Sequence, residues 1–179
     1  DLARFERLAG EAGRCPPAVA AEKLREALGL WRGPALADLA YEGFAQPEIG
    51  RMEELRLVVL EQRIEADLAL GRHAEVVGEL EALASRHPLR ERLRGQLMLA
   101  LYRSGRQAEA LETYRATRRE LAEELGLEPG EQLRRLEQSI LRQDPALAPP
   151  KAEEAAVPLA EPARAILLVP SRLARLGGL

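Results

Sequence analysis

The phrase "LGRHAEVVGELE" (Leu70 to Glu81) returns 34 residues later as "SGRQAEALETYR" (Ser104 to Arg115). Gly71 and Gly105, Arg72 and Arg106, Ala74 and Ala108, and Glu75 and Glu109 fall in register. A period of this length suits one helix hairpin per repeat, whose apolar face is buried only when a neighbouring hairpin covers it. The repeat therefore predicts a stack of helix pairs, with an ordinary helical bundle as the alternative. Gly71 and Gly105 are expected to turn the chain through a left-handed backbone. Ala74, Ala108 and Ala110 are expected to let helices approach closely. Composition agrees: only 3% of residues are aromatic, and Leu and Ala, both good helix formers, dominate the 46% that are hydrophobic.

Apolar spacing and turn signals predict seven helices before Ala148 and no strand. The first starts at Asp1 as N-cap and carries Leu2, Phe5, Leu8 and Ala9 on one face. Pro17 opens the second, which ends near Leu30. Gly29, Gly33 and Pro34 then interrupt the helix around Trp31, which is expected to plug the core. A long third helix runs from Pro47 to near Gly71, with a stripe from Met52 to Leu68 in which Leu60 is structural and Arg63 is an exception expected to snorkel. The fourth spans about 73 to 86, the fifth 89 to 104 with Leu97 inward, and the sixth 107 to 125 with Ala110 and Tyr114 inward. The seventh carries Leu133, Leu136, Ile140 and Leu141 on one face. Residues 148–163 read as an extended Pro/Ala/Glu linker. Residues 164–179 read as a strand and helix that either open a truncated α/β domain, the favoured option, or dock on the helical body.

The 34-residue period and the positions of Ala110 and Tyr114 resemble the tetratricopeptide pattern in degenerate form. "LREALGLWRGPALADL", "HPLRERL", "ALYRSGRQAEAL" and "ELGLEP", in that order, resemble the bacterial transcriptional activator domain of the SARP-family regulators of actinobacteria. The likeness covers residues 1–147. It implies an all-α, right-handed stack of antiparallel helix hairpins. It also implies a role in dimerisation, regulatory coupling and contact with transcription machinery. In that family a winged helix-turn-helix domain precedes the module and reads the promoter. Nothing in this chain corresponds to it, so nucleic acid is expected to be reached only through such a missing N-terminal domain. The chain starts on Asp1 and stops on "RLGGL", and is expected to be a piece of something larger.

Catalytic chemistry finds little support. His73 and His87 lie far from any Cys or carboxylate at ligand spacing, and Cys15 is the lone cysteine. No phosphate-binding glycine loop or nucleophile elbow is present. The chain is therefore expected to be no enzyme, to need no metal or cofactor, and to be soluble and cytoplasmic, since no apolar run is long enough to span a bilayer.

Charge is less even. Residues 86–119 hold nine Arg against three Glu, a local net of +6 in a chain whose net charge is -3. These arginines either pair with the acidic helices around them or face an acidic partner or phosphates. Expected contact residues are Arg90, Arg94 and Arg103 on the concave surface lined by the first helix of each pair, joined by Glu54 and Arg56. Three roles are weighed: a protein-interaction module, which is favoured; the regulatory segment of a multidomain sensor or enzyme; and direct nucleic-acid binding through residues 86–119.

Overall fold

The computed structural model describes residues 2–33, 35 and 42–149. The expected N-cap Asp1, most of the segment after Gly33, most of the 148–163 linker and all of 164–179 lie outside the described residues. Seven α-helices and no strand are found among the described residues: α1 (Leu2–Ala12), α2 (Pro17–Gly29), α3 (Gln46–Ala69), α4 (His73–Arg86), α5 (Glu91–Arg103), α6 (Gln107–Leu125) and α7 (Glu131–Leu141). Short 3-10 turns, Gly43–Ala45 and Pro145–Leu147, precede α3 and follow α7.

The repeated glycines explain the hairpins. Gly71 has φ 76° and Gly105 φ 77°, each just past the end of a helix. At both turns the glycine N–H returns to the carbonyl three residues back, Leu68 or Tyr102. The next N–H returns five residues, Arg72 to Asp67 and Arg106 to Leu101, both at 2.9 Å. This is the paired-bond C-terminal cap that a left-handed residue permits. The same turn is thus built twice, 34 residues apart, and each time a new helix leaves antiparallel to the last. The alanines divide differently from expectation. Ala110 is fully buried, whereas Ala74 and Ala108 are exposed; Val76, in register with Ala110, fills the buried place in the earlier repeat.

Two apolar clusters share α3. Phe5, Leu8 and Ala12 of α1 and Ala20, Ala21, Leu24 and Ala27 of α2 close on Val59 and Ala66 of α3. Leu57, Ile64 and Leu68 belong to the second cluster, with Leu80, Leu93, Leu97, Met98, Ala110, Tyr114, Leu133 and Ile140. Because α3 is covered on two sides, its polar residues are buried too: Glu61, Arg63 and Asp67 are all under a tenth exposed. Arg63 accordingly does not snorkel. Its Nη1 donates to Asp67 at 3.1 Å, and its Nη2 pairs with Glu79. Leu60 is half-buried beside the second cluster. Trp31, also half-buried, meets the Phe5 ring edge-on with centroids 5.5 Å apart.

Candidate protein-interaction groove

The first helices of successive pairs, α3, α5 and α7, lie side by side with matching ends. At their C-terminal ends Arg103 Nη1 donates to the Leu68 carbonyl, and Arg103 Nε to the Leu147 carbonyl beyond α7, each at 2.9 Å. At the N-terminal ends of α5 and α7 the Gly130 N–H donates to Glu91 at 2.7 Å. Gly95 faces α7, and a Cβ there would stand in ordinary contact with Leu133 Cδ1, 3.4 Å away. These contacts leave an open groove of about 850 Å³ across the three helices. Its middle strip is Arg92, Gln96, Leu99 and Arg103 of α5, flanked by Glu65 and Leu68 of α3 and by Gln132 and Leu136 of α7.

The expected contact residues do not form one cluster. Arg103 lines the groove. Arg90 and Glu54 meet each other at 2.5 Å, but mainly as part of a clamp: Arg90 Nε and Nη2 donate to the buried Glu61. The Glu61 hydrogen bond is the main reason the Arg90 guanidinium is held above its ordinary pKa, with Glu54 adding to it against the opposing effect of burial. Arg94 is buried, its Nη2 on Glu120 of α6 and its Nε on the Pro88 carbonyl. Arg56 stands 5.2 Å over the Trp31 ring and 3.7 Å from Glu53, at the other end of the stack. Sequence reasoning passed over Arg92 and Gln96. The available signal was spacing: 92, 96, 99 and 103 recur at helical intervals, but as a mixed polar stripe that a search for apolar faces skips.

The Arg-rich stretch is largely occupied within the stack. Arg92 pairs with Glu65, Arg106 with Glu109 and Glu81, and Arg118 with Glu128. Arg115 and Arg119 share Glu112 at 3.5 and 3.9 Å, and both remain mostly exposed. Arg86 makes no ion pair among the described residues. Among those residues, no group of three or more His, Cys, Asp or Glu is placed to hold a metal. No described helix is long and apolar enough to cross a membrane.

Comparison with known proteins agrees with this architecture. The sequence pattern of the bacterial transcriptional activator domain matches residues 1–141. Regulatory protein AfsR of Streptomyces coelicolor is 53% identical over 152 residues, which cover 83% of this chain and 15% of that protein. Regulatory protein DnrI of Streptomyces peucetius is 48% identical over 151 residues, covering 82% of this chain and 56% of DnrI. The solved structure of Mycobacterium tuberculosis EmbR in complex with a low-affinity phosphopeptide superposes with a TM-score of 0.75 at 38% identity, over 85% of this chain and 40% of that one. The matched segment thus spans little more than half the length of DnrI and far less of AfsR.

Proposed function

Since the chain belongs to the bacterial transcriptional activator domain family, we propose that it is the protein-contact and coupling module of a transcriptional regulator, working through the α3–α5–α7 groove. The observation that carries this is the division of labour among its arginines. Arg90, Arg92, Arg94 and Arg106 fasten helices to one another or cap a turn, while the groove is open and framed by rigid elements. A concave face on rigid helices suits recognition of a protein segment. The occupant is a segment of the transcription machinery, another domain of a longer regulator, or a second copy of the chain. Promoter reading falls to a separate domain.

Site-specific photo-crosslinking tests this. A benzoylphenylalanine in place of Leu99, in the groove, is compared with one in place of Arg115, on the exposed side of α6. Each variant is irradiated alone and with purified bacterial RNA polymerase holoenzyme. Crosslinks to a polymerase subunit or to a second copy from position 99, and not from position 115, are the expected result. Crosslinks confined to position 115 would overturn the assignment of the groove, and none from position 99 would exclude polymerase and a second copy as its occupants.

A further inference from the structure

The charges that line the groove are unequally satisfied. Glu65 accepts from Arg92, Glu91 from the Gly130 N–H, and Glu131 from Arg135. Arg103 is different: its partners are two backbone carbonyls, and no carboxylate among the described residues stands within ion-pair distance of it. Nη2 has no hydrogen-bond acceptor among them either. Burial pushes the Arg103 guanidinium below its ordinary pKa. A partly desolvated guanidinium without a counter-charge is costly, and its Nη2 is left to donate to a carboxylate.

A second unmet group lies in the same stripe. Gln96 is 9% exposed, and its Nε2 donates to the Glu61 carbonyl at 2.8 Å. That bond fixes the amide, and Oε1 is buried beneath the groove surface with no donor among the described residues, so the Gln96 amide reports on that surface. Positions 96 and 103 lie about 10 Å apart along α5, at about 1.5 Å per residue. An extended peptide covers that distance in about three residues. Between them stands Leu99, with Leu68 and Leu136 on the walls.

We propose that the groove binds an extended acidic segment of a partner protein, with a carboxylate on Arg103 and apolar side chains against Leu99, Leu68 and Leu136. This rests on the groove being the docking surface, and it adds the chemistry of the occupant. The guanidinium supplies the charge selection, because an uncharged or basic segment leaves Arg103 uncompensated. The leucines supply contact area that does not depend on charge.

The test is NMR titration of the isotope-labelled chain, following the Arg103 Nε–H and the Gln96 side-chain amide. The probe is acetyl-Ala-Leu-Ala-Leu-Glu-Glu-amide, and its control carries glutamine at both glutamate positions. The acidic probe is expected to shift both signals and to bind at least about tenfold more tightly than the control, the difference one charge-assisted hydrogen bond makes. Arg103→Gln should abolish that preference, Arg103→Lys should keep part of it, and the amide signals of Leu93 and Ala110 report whether either variant remains folded. Equal binding of both probes in the groove would overturn the acidic specificity while leaving the groove as a docking surface. Shifts confined to Arg115, Arg118 and Arg119 would overturn it as general charge pairing. No shift anywhere would also overturn it, and the crosslinking experiment would decide the docking surface separately.

Discussion

Gly71 and Gly105 hold a left-handed backbone with a side-chain-free Cα, and around Gly105 nothing lies within 4 Å of where a Cβ would stand. The cost of Gly105→Ala is therefore backbone strain alone, about 1–2 kcal/mol. Gly78 also has open space but sits mid-helix in α4 without positive φ, so Gly78→Ala should stabilise by about 0.5–1 kcal/mol. Urea unfolding of the two variants should show midpoints moving in opposite directions; a shared direction would mean the turn is not what the glycine serves. Ala110 is fully buried, and Ala110→Leu should cost about 1–3 kcal/mol by overpacking. The glycines and Ala110 were legible because each answers to a local rule, a turn or a periodic apolar position. The exposed Ala74 and Ala108 repeat just as faithfully in sequence. Repetition marks register, and burial depends on where the neighbouring hairpin lands.

At the scale of elements, α3 was the hardest to read. One apolar stripe was visible, but the helix is packed by α1 and α2 on one side and by α4 and α5 on the other. Residues that a single stripe would leave in water become internal ties. Asp67 is the clearest case: 2% exposed, it receives Arg63 from its own helix, Arg72 from the turn and Arg25 from α2. Glu61 does the same toward α5 through Arg90. Removing one partner of a buried pair strands the other, so Glu61→Ala should destabilise by about 2–4 kcal/mol, somewhat below the fully buried case because Arg90 retains access to water. Chemical denaturation measures this, and a loss under about 1 kcal/mol, the size of a surface pair, would mean that the clamp is not a buried one. Arg63 to Asp67 follows the i,i+4 rule, but Arg25 to Asp67 and Arg90 to Glu61 join residues 42 and 29 positions apart, and no spacing rule announces those.

For the molecule as a whole, the helical stack could be foreseen from its period and turns, whereas the position of the groove required the three parallel helices to be seen together. The surface ion pairs add a pH dependence. Hydrogen bonds from Lys23, Arg51, Arg106 and Arg118 hold Glu11, Glu48, Glu109 and Glu128 below the ordinary value of 4.5. Their contribution is present above that value and is lost as pH falls through the lowered ones. The melting temperature should therefore decline on acidification below about pH 4.5, and a rise over that range would contradict the pairing. On the proposed reading, the Arg-rich stretch of residues 86–119 fastens the stack and does not grip phosphates. The direct test is fluorescence anisotropy of labelled duplex DNA titrated with this chain at low and near-physiological salt. No binding at either salt is predicted. Binding that weakens steeply as salt rises would mean that Arg86, Arg115, Arg118 and Arg119 release counterions from the duplex, and the chain would then be a nucleic-acid binder in its own right.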